Sequence, residues 1–595
     1  MTTHGAVEIA ELAHHLELAP LLAAWHVAEW EHLYRGWDLA AAEAELRAMD
    51  TPGRIPTTWV AFDGPGRSPG DVVGSVSLID DDELERWRDV GPWLASLYVV
   101  PRGRGRGTGR ILVRHLVEQA RHLGVTRLHL FTAGQEAYYA DLGWRVIDRT
   151  PAGDETAAVM VLDTDPAAPR RALVTQWCTD PGFRTAYSYL RPGGSPADRD
   201  RLAGPVAPGL RLAGEAASSA FPGTMHGAWF SGEQAAGAVL AEQSPATAIV
   251  VGAGLAGIAA ARRLQEAGVH VTVLERAAEP GGRTRTDTSL GGPLNLGAAW
   301  VHGDEGNPVA VAAEALGIGG DTSVWGSTGT FVPGHGHLAA ADATRLGTAF
   351  ASVEAAITAA RDDGGDGALG PVARRLVEEA AETPLDRTVL SCWVRGEFEN
   401  LYAAPLDDLS LIHCAEPFRL PGDDVMLLGS TTDIVEHLAR GLAVRCGDPV
   451  TAVRRRGDQW EVATARTLHV ADGVVVTVPV GVLQAGSLSF DPPLPAGLLA
   501  SLGRIGAGRV AKVFVTFDER FWAPLRSFWV AADPPVAFEL WVDVSDLHGH
   551  PALCAFAVGE HAVAVERLGE DALCTLAHRI LRDAGVARAA GEGPM

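Results

Sequence analysis

Residues 247–275, TAIVVGAGLAGIAAARRLQEAGVHVTVLE, restrict the fold of this chain more than any other stretch. A β-branched apolar run leads into Gly252, Gly254 and Gly257, a helical pattern follows, and a second strand pattern ends on Glu275. Strand, glycine turn, helix and strand in this order form a βαβ unit of a parallel sheet. Glu275 lies 23 positions past Gly252, close to the ~20 at which a carboxylate meets a ribose hydroxyl. A merely structural glycine turn would need neither that spacing nor that acid. The segment is expected to hold a dinucleotide, with Glu275 and the adjacent Arg276 among its contacts.

At 595 residues the chain exceeds one ordinary core, because domains usually run to ~100–200 residues. A net charge of −25 argues against a nucleic-acid partner, which would select a basic face. The charge suits a cationic substrate, although solubility alone accounts for much of an acidic surface. Six scattered cysteines show no CxxC and no histidine at metal spacing. They read as reduced, buried thiols of a cytoplasmic protein, with no metal site. MTTHGAVEIAELAHH lacks a basic stretch before an apolar run, and nothing reaches ~18 uninterrupted apolar residues. Neither an export signal nor a membrane span is expected.

The first segment, residues 1–163, alternates helical patterns, the first near 18–33, with the strand-like runs WVAF, VVGSVSLI, WLASLYVV, RLHLFT and AAVMVLDT. In LYVVPRGRGRGTGRILVRHLVEQARHLG a strand ends at Pro101, glycines fill the loop, and a helix starts near Thr108 with Ile111, Leu112, Leu116 and Val117 on one face. Glycines admit a ligand close to the backbone, and the first helical turn offers N–H groups to an anion such as a pyrophosphate. A basic surface loop would have the same composition. The joint DTDPAAPRRA, whose residues 164–172 form the linker, then separates this segment from residues 173–595.

The order of motifs in the first segment resembles the GNAT acetyltransferases: Arg104, Gly107 and Gly109 match the R-x-x-G-x-G core, and YYADLGW matches the late tyrosine motif. The resemblance implies acetyl-CoA held by the backbone of Arg104, Gly105, Gly107 and Gly109, with Tyr139 as the acid that protonates the leaving thiolate. Asp80 to Glu83 lie near the expected strand end for a general base, where a solvated turn is the plainer reading.

The remaining motifs resemble the flavin-containing amine oxidases, of the polyamine oxidase and histone demethylase branch. GGRTRT, LNLGAAWVHG, TVPVGVL and IGAGRVAKVFVTFDERFW carry the resemblance, together with VTQWCTDPGFRTAYSYL and LAGEAASSAFPGTMHGAWFSG. It implies non-covalent FAD along Gly282, Arg283, Gly297, Ala298 and Trp300, with Glu215 near the pyrophosphate or ribityl chain and Val450 at the adenine. In that family the last two blocks close the chain, whereas here they precede the dinucleotide fingerprint. A circular permutation with the old ends joined through AEQSPATA explains the order, through a strand at LRLAG, a helix from about 224 to 240 and the strand TAIVV. ARAAGEGPM reads as a disordered new end. The expected fold is α/β and α+β multidomain: a GNAT domain, then a Rossmann-like FAD-binding domain (about 205–303 and 425–490) and an α+β substrate domain (about 173–204, 304–424 and 491–595).

One residue stands out against the arginine-rich background, because Lys512 is the only lysine in the chain. The resemblance places it as the lysine that holds a water against the flavin. Arginine stays charged, whereas a buried lysine can lower its pKa. The resemblance also puts Tyr187 and Thr224 at the two positions flanking the substrate amine; Trp177 is a third residue of the pocket, a flavin neighbour, or simply a core aromatic. His302 follows as a residue able to steer an amine or simply a satisfied structural histidine. Glu397, Glu399 and Asp408 are possible cation contacts or a solvated helix face. Ala186 stands where monoamine oxidases carry a flavin-linked cysteine.

The expected function is a bifunctional enzyme that acetylates a polyamine and oxidises polyamines or their acetylated products with O2. The rivals are oxidation of another amine or amino acid, and a non-catalytic scaffold that binds flavin and coenzyme A. The degraded motifs RTAYS and LLGSTTDIV keep the last in play.

Overall fold

The computed structural model describes residues 7–34, 36–64, 68–82, 84–88, 90–152, 155–365, 367–414 and 419–586. Contacts divide the chain into two units, Met1–Ala168 and Pro169–Met595. Glu83 and the whole of ARAAGEGPM lie outside the described residues. None of the six cysteines is bridged, and no helix among the described residues is long and apolar enough to cross a membrane.

The first unit is built on one seven-stranded sheet in the order Val7–Glu11, Thr57–Asp63, Val72–Ile79, Trp93–Val99, Arg127–Thr132, Glu155–Asp163, Arg145–Ala152. All neighbours are antiparallel except Trp93–Val99 and Arg127–Thr132, which run parallel and pair only at Trp93↔His129. Beyond that pair the two strands part, and the backbone groups that would otherwise continue the ladder are left unpaired between them. Ser96, at φ 52, forms a bulge on the first of them, which bends the strand where the two part. The helix Thr108–His122 follows on one face, burying Leu112, Val113, Leu116 and Ala120. Ile111, expected on that apolar face, is instead 41% exposed. Leu112 and Leu116 are buried as expected, and Val113 takes the inward place of Ile111. The sequence reading also passed over Val7–Glu11 and Arg145–Ala152, the two edge strands of the sheet.

In the second unit a six-stranded sheet runs Pro205–Ala207, Leu210–Leu212, Gly473–Val476, Thr247–Val251, His270–Leu274, Val444–Arg445. Its last five strands are parallel. The alternation of side chains sends Ile249, Val251, Val474 and Val476 to one face, where Trp460, Leu498 and Leu502 cover them. Ala248, Val250, Val273 and Val475 go to the other, under Ala235, Val239, Ala260 and Leu264. Burial on both faces explains why these strands read as unbroken apolar runs. The helix Met225–Gln243 connects Leu210–Leu212 to Thr247–Val251. The two strands are parallel as expected but not adjacent, since Gly473–Val476 inserts between them.

A second seven-stranded sheet carries Lys512, in the order Gly336–His337, Thr328–Val332, Ser527–Val530, Leu540–Asp543, Ala552–Val558, Val510–Thr516, Arg171–Val174. Helices Ala340–Asp362, Leu369–Ala380 and Pro384–Arg395 pack as one apolar cluster beside it. Arg171 and Ala172 already pair with Thr516 and Val515. The joint is therefore shorter than its composition suggested, because those two residues complete a sheet edge.

The helices Met225–Gln243 and Leu255–Glu266 meet at Gly232, where an added Cβ would lie 2.0 Å from the Ala256 carbonyl oxygen. Backbone cannot yield as a side chain does. Gly232→Val is expected to destabilise the second unit by about 1–3 kcal/mol and to lower its thermal midpoint, measured by calorimetry, while Gly237→Ala, with open space around it, leaves the midpoint unchanged or slightly raised.

Candidate active site

The C-terminal ends of the parallel strands set the position of the first half of the site. Val251, Val476, Leu212 and Leu274 end level with one another, and the next residues bind across the ends: Gly252 N–H to Leu274, Thr477 N–H to Val251, and Ala213 N–H to Val476. Gly252, Glu215, Thr477 and Glu275 thereby gather at one edge, the place where open α/β sheets receive ligands. Gly252 has φ +102, a conformation that disfavours side chains. A Cβ on Gly257 would lie 1.9 Å from the Gly252 carbonyl oxygen. Glu275 accepts from the N–H groups of Ala253 at 2.7 Å and Ala277 at 2.8 Å, so its carboxylate sits directly beside the glycine turn. Gly254 bridges to Gly281, and a Cβ on Gly282 would be 3.6 Å from Gly254 Cα.

Arg276 turns away from this cradle. Its guanidinium contacts Asp180 at 3.0 Å and lies over the Phe183 ring, so it joins two segments of chain. Val450 opens the strand Val450–Arg456, and the preceding loop is fixed to the Glu275 region by the Asp448 N–H, which donates to the Glu275 carbonyl.

Glu215 is the hub of the second half. Buried to 5% exposure, its carboxylate meets Arg283 at 2.9 Å, the Ser188 hydroxyl at 2.7 Å and the Gly223 N–H at 3.2 Å. Arg199 donates to Ser188 Oγ at 2.6 Å. Arg283 also donates to the Ala186 carbonyl. The positive charge of Arg283 and Arg199 and these hydrogen bonds outweigh burial and hold the Glu215 carboxyl below its usual range. Ser188, Arg199 and Gly223 were not picked out from sequence.

Lys512 projects from the strand Val510–Thr516 into a buried box. Its Nζ donates to the carbonyls of Gly297 at 2.6 Å and Asn295 at 3.2 Å, with the rings of Trp300 and Phe556 at 5.3 and 5.8 Å. Burial lowers its pKa. Gly297 is obligatory, because a Cβ there would strike the Arg283 carbonyl at 1.7 Å, and Ala298 N–H donates to the same oxygen. Trp177 Nε1 donates to the Leu296 carbonyl at 3.3 Å. Trp300 Nε1 is buried and has no protein partner.

Tyr187 donates its hydroxyl to the Asn400 carbonyl at 2.6 Å, and its ring packs against Gly223, next to Thr224. The Thr224 hydroxyl caps the helix Met225–Gln243, accepting from Gly227 N–H and donating to the Phe221 carbonyl. His302 pairs with Asp424 at 3.3 Å, and Asp424 also holds Arg419, so its ring has a structural partner. Glu399 is partly buried, and this desolvation raises its pKa to about 7, while it accepts from Leu406 N–H; Glu397 and Asp408 are exposed.

In the first unit Gly105 and Gly107 have positive φ, and a Cβ on either would meet open space. Arg104 donates to the Val99 carbonyl. A Cβ on Gly109 would be 2.9 Å from Tyr138 Oη, a buried hydroxyl without a protein partner. Tyr139, expected as the acid for the leaving thiolate, lies in the core against Trp144, and burial raises its pKa. The hydroxyl next to Gly109 thus belongs to the preceding tyrosine.

Removing Glu215 leaves Arg283 and Arg199 buried without their counter-charge, so Glu215→Ala is expected to cost about 3–5 kcal/mol. Because the folded pKa lies below the usual value of 4.5, the stabilisation is complete above that pH and is lost as pH falls through the folded pKa. Urea midpoints of wild type and Glu215→Gln should therefore converge as the pH is lowered from 7 to below 4.5.

A family model described as flavin containing amine oxidoreductase matches residues 158–240 and 255–591, and one described as the acetyltransferase (GNAT) family matches residues 20–144. Polyamine oxidase 2 of Arabidopsis thaliana is 30% identical over 59% of this chain and 75% of its own. Lysine-specific histone demethylase 1 homolog 2 of the same plant is 30% identical over 57% of this chain and 47% of its own. A solved structure of putrescine oxidase bound to putrescine aligns with a TM-score of 0.45 at 19% identity, covering 58% of this chain and 82% of that one. The chain is an enzyme that belongs to the flavin-containing amine oxidoreductases, with a GNAT acetyltransferase domain ahead of that part.

Proposed function

We propose that the second unit oxidises polyamines or acetylated polyamines with FAD and O2, and that the first unit acetylates an amine from acetyl-CoA. The observation that carries this reading is the box around Lys512, a buried lysine between two carbonyls and two aromatic rings. The donor set fits a flavin dinucleotide. The cradle of Gly252, Gly254 and Gly282 would admit a pyrophosphate, Glu275 would take a ribose hydroxyl, and the unpartnered Trp300 Nε1 would offer a donor. Arg283, Gly297 and Ala298 would line the path between them, with Glu215 holding Arg283. Ala186 offers no nucleophile, which supports non-covalent binding. When bound, FAD accepts hydride from the carbon next to the amine and returns the electrons to O2.

The chain's own residues prepare that chemistry. Tyr187, Trp177 and Phe556 exclude water, and a desolvated pocket favours the neutral amine. Lys512, its pKa lowered by burial, can hold or release a proton at Nζ, a task that arginine cannot take over. Thr224 sits beside Tyr187 as the smaller wall, with its hydroxyl engaged in the helix cap. The chain order supports a circular permutation: one helix joins two strands of a single parallel sheet, and the family match is split on either side of residues 241–254.

Anaerobic mixing with spermine, spermidine and their acetylated forms tests the reading through loss of flavin absorbance. Bleaching by one or more of them is expected. Lys512→Met should retain FAD and slow the flavin half-reactions at least tenfold, on the order of 1.4 kcal/mol. Flavin that stays oxidised with all four amines would overturn the polyamine reading.

A further inference from the structure

The first unit holds a cluster of aromatic side chains for which the acetyl-CoA turn has no use. Ser75 and Tyr98 are register partners, so both side chains leave the sheet on the same face. His26 Nε2 lies 3.0 Å from Ser75 Oγ, which identifies that face as the one covered by the helix Ala19–Trp30. The helix of the glycine turn covers the opposite face, since a Cβ on Gly74 would lie 3.1 Å from Leu112. Tyr98 is two residues past the Ser96 bulge, on the strand that splays.

Around Tyr98 stand Trp25, with ring centroids 5.4 Å apart, and Trp30, at 6.3 Å and edge-on. The His26 ring is 5.4 Å from Trp30. Trp25, Trp30 and Tyr98 are all partly exposed, so the cluster is a wall and not a sealed core. The Arg104 guanidinium lies 6.0 Å from the Tyr98 centroid, which shows one cation already received by this ring. Burial lowers the His26 pKa to about 4, so this histidine adds no positive charge to that of Arg104 beside the ring. Charge divides in the same sense. Residues 12–50 contain seven carboxylates and two arginines, whereas residues 101–114 contain five arginines and no carboxylate. An anion is favoured at the glycine turn and a cation on the side of the aromatic wall.

We propose that Trp25, Trp30 and Tyr98 form a seat for the charged, non-reacting end of a di- or polyamine acceptor, a reading that rests on the acetyltransferase assignment above. Aromatic faces attract ammonium groups and stabilise their protonated form. The nitrogen that attacks a thioester must be neutral, so the nitrogen in the seat is not the one acetylated. The seat thereby selects acceptors with two or more amino groups over monoamines.

The test uses the full-length protein under anaerobic conditions, following thiol release from acetyl-CoA with spermidine and with butylamine, while calorimetry measures coenzyme A binding. Trp30→Leu is expected to raise the KM for spermidine about tenfold, to leave that for butylamine within about twofold, and to leave coenzyme A affinity unchanged. Trp30→Phe should recover most of the loss. The proposal is overturned if Trp30→Leu changes neither amine, or both equally, while coenzyme A still binds. If wild type binds no coenzyme A and releases no thiol with any amine, the acetyltransferase assignment itself fails, and the proposal with it.

Discussion

A single buried carboxylate ties together segments of the second unit that the chain order keeps apart. Glu215 contacts Arg283, Ser188 and Gly223, and Arg199 closes the set through the Ser188 hydroxyl. These residues come from both sides of the glycine fingerprint, so the network forms only when the parallel sheet is assembled. Burying such charges is unfavourable unless every partner is present. The geometry that results fixes Arg283 beside Gly297, and Gly297 presents the carbonyl that Lys512 grips. The crevice at the sheet edge and the aromatic box are thereby one construction.

Much of this was legible in residue patterns because local chemistry dictated it. The glycine turn at Gly252 requires a positive φ, and only a strand before and a helix after give it a purpose. Lys512 was conspicuous because every other basic side chain is an arginine. What escaped notice depended on contacts between distant segments. Arg276 adjoins Glu275 in sequence, yet Asp180 and Phe183 draw it outward. Tyr138 and Tyr139 are neighbours on a short helix and point different ways, one toward Gly109 and one into the core. Helical phase over so few residues gives no means of choosing between them. The insertion of Gly473–Val476 between two strands joined by one helix was equally invisible, because parallel register is set by residues more than 200 positions away.

The first unit shows how a sheet can be parted by backbone alone. Two parallel strands share one register pair and then part, and the Ser96 bulge lies where they do so. The helix that follows the glycine turn and the helix that carries Trp25 and Trp30 cover opposite faces of the same sheet, and Arg104 of the turn reaches the Tyr98 ring between them.

The solitary lysine has a consequence for the protein's own durability. An acetyl thioester acylates exposed ε-amines, and an aldehyde released by amine oxidation condenses with them. This chain presents no ε-amino group on its surface, since its one lysine is 7% exposed and held by two carbonyls. Its positive charge resides in 48 guanidinium groups, which remain protonated and are poor nucleophiles at neutral pH. A chain with the two activities proposed above would in this way be built from side chains that neither reagent readily modifies.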